Sequence, residues 1–204
     1  LTRPHLSIEN KPTRDFLSLV LDDKEDIFYH SLKIEYYGNV HQIQKSWNNY
    51  FKPNLSGMAK ELEVILTHHL QLAHSFREAF GKGNEHYDTE SLTVDSIEHE
   101  NNYPRMIDIL VWATRDILIW FLENDPFYGM LLVQKWSNSQ IPLLKRIAVY
   151  GISETHMMNS DEKLEWFLKQ DWIFKLGRRE ETIKLLKNAY PEASKNIKEK
   201  VIQK

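Results

Sequence analysis

The stretch that most constrains this chain is Pro104 to Glu123, PRMIDILVWATRDILIWFLE. Between Met106 and Leu122 only Asp108, Thr114, Arg115 and Asp116 are not apolar. At helical spacing Asp108, Arg115 and Asp116 fall with Arg105 and Glu123 on one stripe, with Thr114 on the opposite side. A helix that is apolar around most of its circumference needs neighbours on several sides, so it is expected at the centre of the fold. It does not read as a membrane span, because formal charges interrupt runs already too short to cross a bilayer.

Around that helix the periodicity predicts an all-helical chain. Residues 1–12, with Pro4 and Pro12, read as an extended lead-in or linker. Residues 13–80 read as an N-terminal helical bundle. Within it, helices are expected after Thr13, after the acidic run Asp22, Asp23, Glu25 and Asp26, and from Val40 to Phe51. The second of these would carry Ile27, Phe28 and Leu32 and stop at Gly38-Asn39. The next helix, capped by Ser56, carries Met58, Leu62, Ile65/Leu66, His69, Leu72/Ala73, Phe76 and Phe80 on one face. Residues 81–103 form a long loop, a length that often serves function. From 104 to 204 the helices come in pairs with short turns. Asp125 before Pro126, Pro142, and Ser160 mark helix starts. The expected architecture is therefore paired antiparallel helices stacked as an irregular HEAT-like α-solenoid.

Composition excludes several functions. Net charge is −3 from 26 basic and 29 acidic residues, well mixed, which gives no electrostatic basis for nucleic acid or an anionic membrane. There is no cysteine, so disulfides, thiolate metal sites and cysteine nucleophiles are excluded. Together with an N-terminus lacking an apolar leader, this suits a cytoplasmic location. The start at Leu1 is read as that of a piece cut from a longer chain.

Motifs for catalysis are missing. Neither GxxxxGK[ST] nor GxGxxG occurs, and Gly81-Lys82-Gly83 reads as a helix end, so no nucleotide or other cofactor is expected. HExxH and GxSxG are absent. His68, His69 and His74 share a helix without the i,i+4 spacing that aligns two ligands. His69 reads as a core histidine. His86, Glu98, His99 and Glu100 lie in the 81–103 loop and could converge on a metal, or be a solvated polar loop.

Two groups of residues stand out. Asp108, Arg115 and Asp116, with Arg146 from the run LLKRIAVYG, are flanked by apolar residues, and buried charges need partners. They read as a structural ion-pair network, or as charges lining an interaction groove. Of the six tryptophans, Trp47, Trp112, Trp120 and Trp166 fit apolar faces. Trp136 and Trp172 lie near turns, where either packing between hairpins or anchoring a partner would explain them. Arg178 and Arg179, with the terminal lysines, make a modest basic end, and the two arginines are read with Trp136 and Trp172 as candidate partner-binding residues, or as a solvated face.

From about His69 the chain resembles a known family. The segments that carry the likeness are LAHSFREAF, DTESLTVDSIEHENNYPRMIDILVWATRDIL, LLKRIAVYGISE, DEKLEWFLKQDWIF and RREETIKLLKNAYPEAS. In this order they resemble the helical C-terminal regions of large bacterial antiviral STAND-type ATPases and related multidomain defence proteins. Lys145 and Tyr150 depart from that pattern, where an Arg and a His are usual. The resemblance implies that an effector and a nucleotide-binding module lie upstream. It also implies that this part is a non-catalytic sensor or scaffold for a protein partner, either a phage protein or other domains of the same chain. Two rival readings remain: a purely structural connector, and a stand-alone helical hydrolase or nuclease using the 81–103 loop.

Overall fold

A computed structural model describes residues 4–12, 28–36, 38–80, 105–172 and 180–204. Two strands, β1 (Pro4–Pro12) and β2 (Phe28–Tyr36), are followed by eight helices among these residues. They are α1 (Val40–Ser46), α2 (Ala59–Phe80), α3 (Met106–Asn124), α4 (Pro126–Ser137), α5 (Pro142–Glu154), α6 (Ser160–Lys169), α7 (Glu180–Ala189) and α8 (Lys195–Gln203). From Val40 onward the described chain is helical, as the periodicity requires.

The N-terminus differs from the helical reading. β1 and β2 pair antiparallel, from Pro4 opposite Tyr36 to Pro12 opposite Phe28, and the pair lies against α2. The lead-in is extended, as expected, but it is a paired strand rather than a linker. The segment around Phe28 and Leu32, expected to be helical, is a strand. Its sequence FYHSLKIEY alternates aromatic or aliphatic residues with polar ones and is rich in strand-favouring side chains, so the period of two outweighs the helical spacing. The helix expected at 13–21 and the 81–103 loop, with its four candidate metal ligands, lie outside the described residues.

Gly38 turns the chain at φ 104°, a conformation that favours glycine. Asn39 then caps α1, its Oδ1 accepting from the backbone N–H groups of His41 (3.0 Å) and Gln42 (3.2 Å). After α1 the chain passes through a π-helical turn (Trp47–Phe51) and a 3₁₀ stretch (Lys52–Gly57) before α2. Ser56 therefore lies within the 3₁₀ stretch and does not cap α2.

α3 is the central helix. It packs against α1, α2, α4, α5 and the 3₁₀ stretch. Its residues Ile109, Leu110, Val111, Ala113, Ile117, Leu118, Phe121 and Leu122 are buried. Two glycines set how closely its neighbours approach. A Cβ on Gly129 of α4 would stand 2.8 Å from the backbone nitrogen of Leu122, and one on Gly151 of α5 2.6 Å from Leu118 Cδ2. Asp125 and Pro126 start α4 as expected, with Asp125 Oδ1 accepting from the Tyr128 N–H at 3.2 Å. For α6 the cap is Asn159, one residue before Ser160, in a reciprocal box with Glu162. A small second core of Leu164, Ala189, Ala193 and Ile197 joins α6, α7 and α8. No helix among the described residues is long and apolar enough to cross a membrane.

Candidate protein-binding groove and the buried charges

Helix α4 is apolar on nearly every side, so its sequence alone does not say which face turns inward. The structure buries Gly129, Leu132, Val133 and Trp136, a spacing of three to four residues that meets α3 and α5. Trp136 is 0% exposed, so it does not anchor a partner; it is core. The opposite stripe is left outside: Phe127 is 77% exposed and Leu131, one turn on, is 45%. With Met130 and Val133 they form one wall of a groove of about 500 Å³. Gln134, Ser137 and Asn138 continue that wall, and Trp166 and Gln170 of α6 form the other. Among the described residues no charged side chain lines it.

Trp172 stands beside this groove. Its indole N–H donates to Gln170 Oε1 at 3.1 Å, and Lys145 lies over its ring at 5.3 Å. The half-buried ring is thus held by an intramolecular cation–π contact. Arg178 and Arg179 lie outside the described residues. Phe127 was the signal to follow: it sits immediately after Pro126, at the exposed start of a helix whose burial requirement the other face already meets.

The four charged residues expected to form one network do not. Asp108 caps its own helix, accepting from the Arg105 backbone N–H at 2.7 Å and from its guanidinium at 3.2 Å. Two turns of helix separate it from Arg115, too far for a direct bond. Arg115, 2% exposed, pairs with its neighbour Asp116 at 2.8 Å. Asp116 Oδ2 also accepts from Trp47 Nε1 (3.1 Å) and pairs with Lys52 (3.0 Å). This carboxylate therefore ties α3 to the π-helical turn and the 3₁₀ stretch. Arg146 pairs instead with Glu181 at 2.6 Å, locking α5 to α7. Glu181 is 1% exposed. Its place in the series Glu181, Leu185, Ala189, one buried face at steps of four, marks it as inward-facing, whereas its position in a first turn suggests only a dipole role.

Tyr150 stands between the two arginine sites. The Arg115 guanidinium lies 5.6 Å from its ring centre and Lys184 Nζ 4.4 Å. Lys184 also donates to the Tyr150 hydroxyl (3.3 Å) and pairs with Glu154 (3.2 Å). A third buried carboxylate, Glu63 on α2, accepts from Thr67 and Lys135, both at 3.2 Å. Burial first, and then the nearby Glu63 carboxylate, push the Tyr128 phenol above its ordinary range.

At the far end of the stack a polar cleft of about 620 Å³ lies between α6, α7 and the start of α8. Its groups bond to one another. Asp161 Oδ1 accepts the Ser194 N–H at 2.7 Å, and Lys163 donates to the Ser153 carbonyl at 3.0 Å. The Ser194 N–H holds the Asp161 carboxyl below the usual carboxylate range. Burial lowers the Lys163 ammonium, against the pull of Glu154 and Glu192. This cleft fastens the helices together. Among the described residues no group of three or more His, Cys, Asp or Glu side chains could hold a metal ion, and His69 is buried on α2.

No protein-family model matches the chain, and neither curated proteins nor solved structures gave a match.

Proposed function

We propose that this chain is a non-catalytic protein-binding helical module, and that the groove between α4 and α6 receives an amphipathic helix of a partner protein. The observation that carries this reading is the pair Phe127 and Leu131, exposed one turn apart on a wall with no charge among the described residues. Large side chains left outside together mark an interaction face, since each loses free energy to water until covered. A trough between two helices, apolar at its base and edged by the amides of Gln134, Asn138 and Gln170, suits a helix presenting aliphatic or aromatic residues at i and i+4. An uncharged lining favours an uncharged stripe on the incoming helix. The irregular HEAT-like stack is part of the same proposal. Its support is that α3 packs on α4, α4 on α5, and α6 on α7. A place as sensor or scaffold in a larger bacterial antiphage ATPase rests on the sequence resemblance alone.

A photo-crosslinking residue at position 127, against one at the exposed Ile183 of α7, tests the reading in cells. The expected result is one protein crosslinked from 127 and not from 183. Reconstituted with purified chain, that protein should bind at least about tenfold more weakly to Phe127→Ala with Leu131→Ala. Only a self-crosslink from 127, or binding unchanged in the double variant with its helical content intact, would overturn it.

A further inference from the structure

The polar groups around the α4–α6 groove are not equivalent. On the α4 wall, Ser137 Oγ and Asn138 Nδ2 both donate to the Gln134 carbonyl, at 3.0 and 2.9 Å, and so are tied to their own helix. The Gln134 side chain is exposed and can turn either end of its amide to water. On the α6 wall Gln170 is held differently. It is half-buried at the end of α6, one turn beyond Trp166, where its backbone N–H reaches the Phe167 carbonyl at 3.1 Å. Its side-chain oxygen accepts the Trp172 indole N–H, also at 3.1 Å. From this arrangement we infer that Gln170 selects the guest: the groove favours a helix whose apolar stripe is broken by one asparagine or glutamine. The inference rests on the groove reading above and adds the chemistry of the partner.

An indole N–H can only donate, so the atom it meets must be the amide oxygen. That fixes which end of the Gln170 amide is engaged. Lys145, 5.3 Å from the centre of the Trp172 ring, steadies the indole in turn. What Gln170 has left is its –NH₂ end, which has no acceptor among the described residues. In the open groove water meets those protons, and a guest helix displaces that water. An aliphatic side chain laid over the amide leaves donors covered and unpaired, which costs about tenfold in affinity. A guest that brings an acceptor avoids the loss.

The kind of acceptor follows from the surroundings. A carboxylate would carry its charge into a trough with no cation among its described lining residues. Serine and threonine can turn their hydroxyls back on the carbonyl four residues earlier in their own helix, and so need nothing from Gln170. An asparagine or glutamine covered on an apolar stripe needs an outside partner, and Gln170 supplies it.

The probe is a displayed library of helical peptides of about 18 residues, with Ala, Glu and Lys outside the stripe. Stripe positions are drawn from aliphatic, aromatic, hydroxyl, amide and charged residues. Peptides selected on the parent chain should carry one Asn or Gln in an otherwise apolar stripe, and should lose binding to Phe127→Ala with Leu131→Ala. Replacing that amide by Leu should weaken binding to the parent about tenfold. Gln170→Met, of similar length, should reverse the order and bind the all-apolar peptide at least as tightly as the parent does, which also shows that the variant is folded. On the parent alone, the Gln170 –NH₂ signals in a ¹H–¹⁵N spectrum should move further with the amide peptide than with its Leu counterpart. A stripe selected without an amide, an amide preference kept by Gln170→Met, or equal –NH₂ shifts with both peptides would overturn this inference and leave the groove reading standing. A library that yields no peptide dependent on Phe127 and Leu131 would overturn the groove reading, and this inference with it.

Discussion

The molecule buries two arginines in two different ways. At the α5–α7 contact, Arg146 meets a glutamate from a distant helix, and both side chains are sealed from water. At the α1–α3 contact, Arg115 meets the next residue of its own helix, and the shared carboxylate reaches on to Lys52 at the surface and borders a cavity. The first pair is a bolt between helices, where their mutual bond offsets part of the cost of removing two charges from water. The second is a carboxylate hub with several donors and a route to solvent. Similar burial of the two guanidinium groups thus conceals unequal surroundings of the carboxylates they meet.

The sharpest way to break that comparison is the same chemical change on each side. Glu181→Gln should destabilise by about 3 kcal/mol, because it removes the carboxylate charge that faces the buried Arg146 guanidinium. Urea unfolding followed by circular dichroism measures it. Replacing the pair together, Arg146→Met with Glu181→Leu, should recover most of that loss. Gly129→Ala separates charge from packing. The added methyl meets the Leu122 backbone, which cannot move aside as a side chain can. Overpacking of about 3 kcal/mol, less about 1 kcal/mol of improved helix propensity, predicts a net loss of about 2 kcal/mol in the same assay. Asp116→Asn should cost less, about 1 to 2 kcal/mol, since the amide oxygen still accepts a bond and the cavity lets water reach the site. A loss in Asp116→Asn as large as in Glu181→Gln would erase the distinction between bolt and hub.

Tyr150 tests whether the two regions act independently. Tyr150→Phe keeps the ring for Arg115 and Lys184 and removes only the hydroxyl, so about 0.5 to 1 kcal/mol is expected from thermal melts. Smallest is a change outside both regions. Asp161→Asn removes a carboxyl held below the usual range by the Ser194 N–H. Such a group adds stability above its unfolded pKa and loses it as pH falls through the folded one. The variant should therefore melt slightly below the parent at neutral pH, and the two curves should converge in acid.

What the sequence disclosed follows physical lines. α3 was legible because seventeen residues with four polar interruptions permit little but a central helix. The Asp125–Pro126 start was legible because capping is local chemistry. The identities of the ion-pair partners were not. Arg146 and Glu181 lie 35 positions apart, and no local rule selects Glu181 over Glu180 except the i,i+4 series it heads. Trp136 stayed open between core packing and a partner anchor because α4 is apolar all round, and the structure turns it inward with Gly129 while Phe127 stays outside. The β1–β2 pair was missed because apolar residues that alternate over a short run also match fragments of a helical stripe.

The close approach at Gly129 carries a consequence for recognition. With backbone set against backbone one residue group beyond the Asp125 corner, α4 has little freedom to roll about its axis. Phe127 and Leu131 are thereby presented at a fixed height and angle before any partner arrives. Association would then spend little of its free energy on ordering the receptor. On the proposed reading, recognition by so fixed a face would draw its selectivity from fit, and a guest of the wrong contour would find no surface ready to adapt to it.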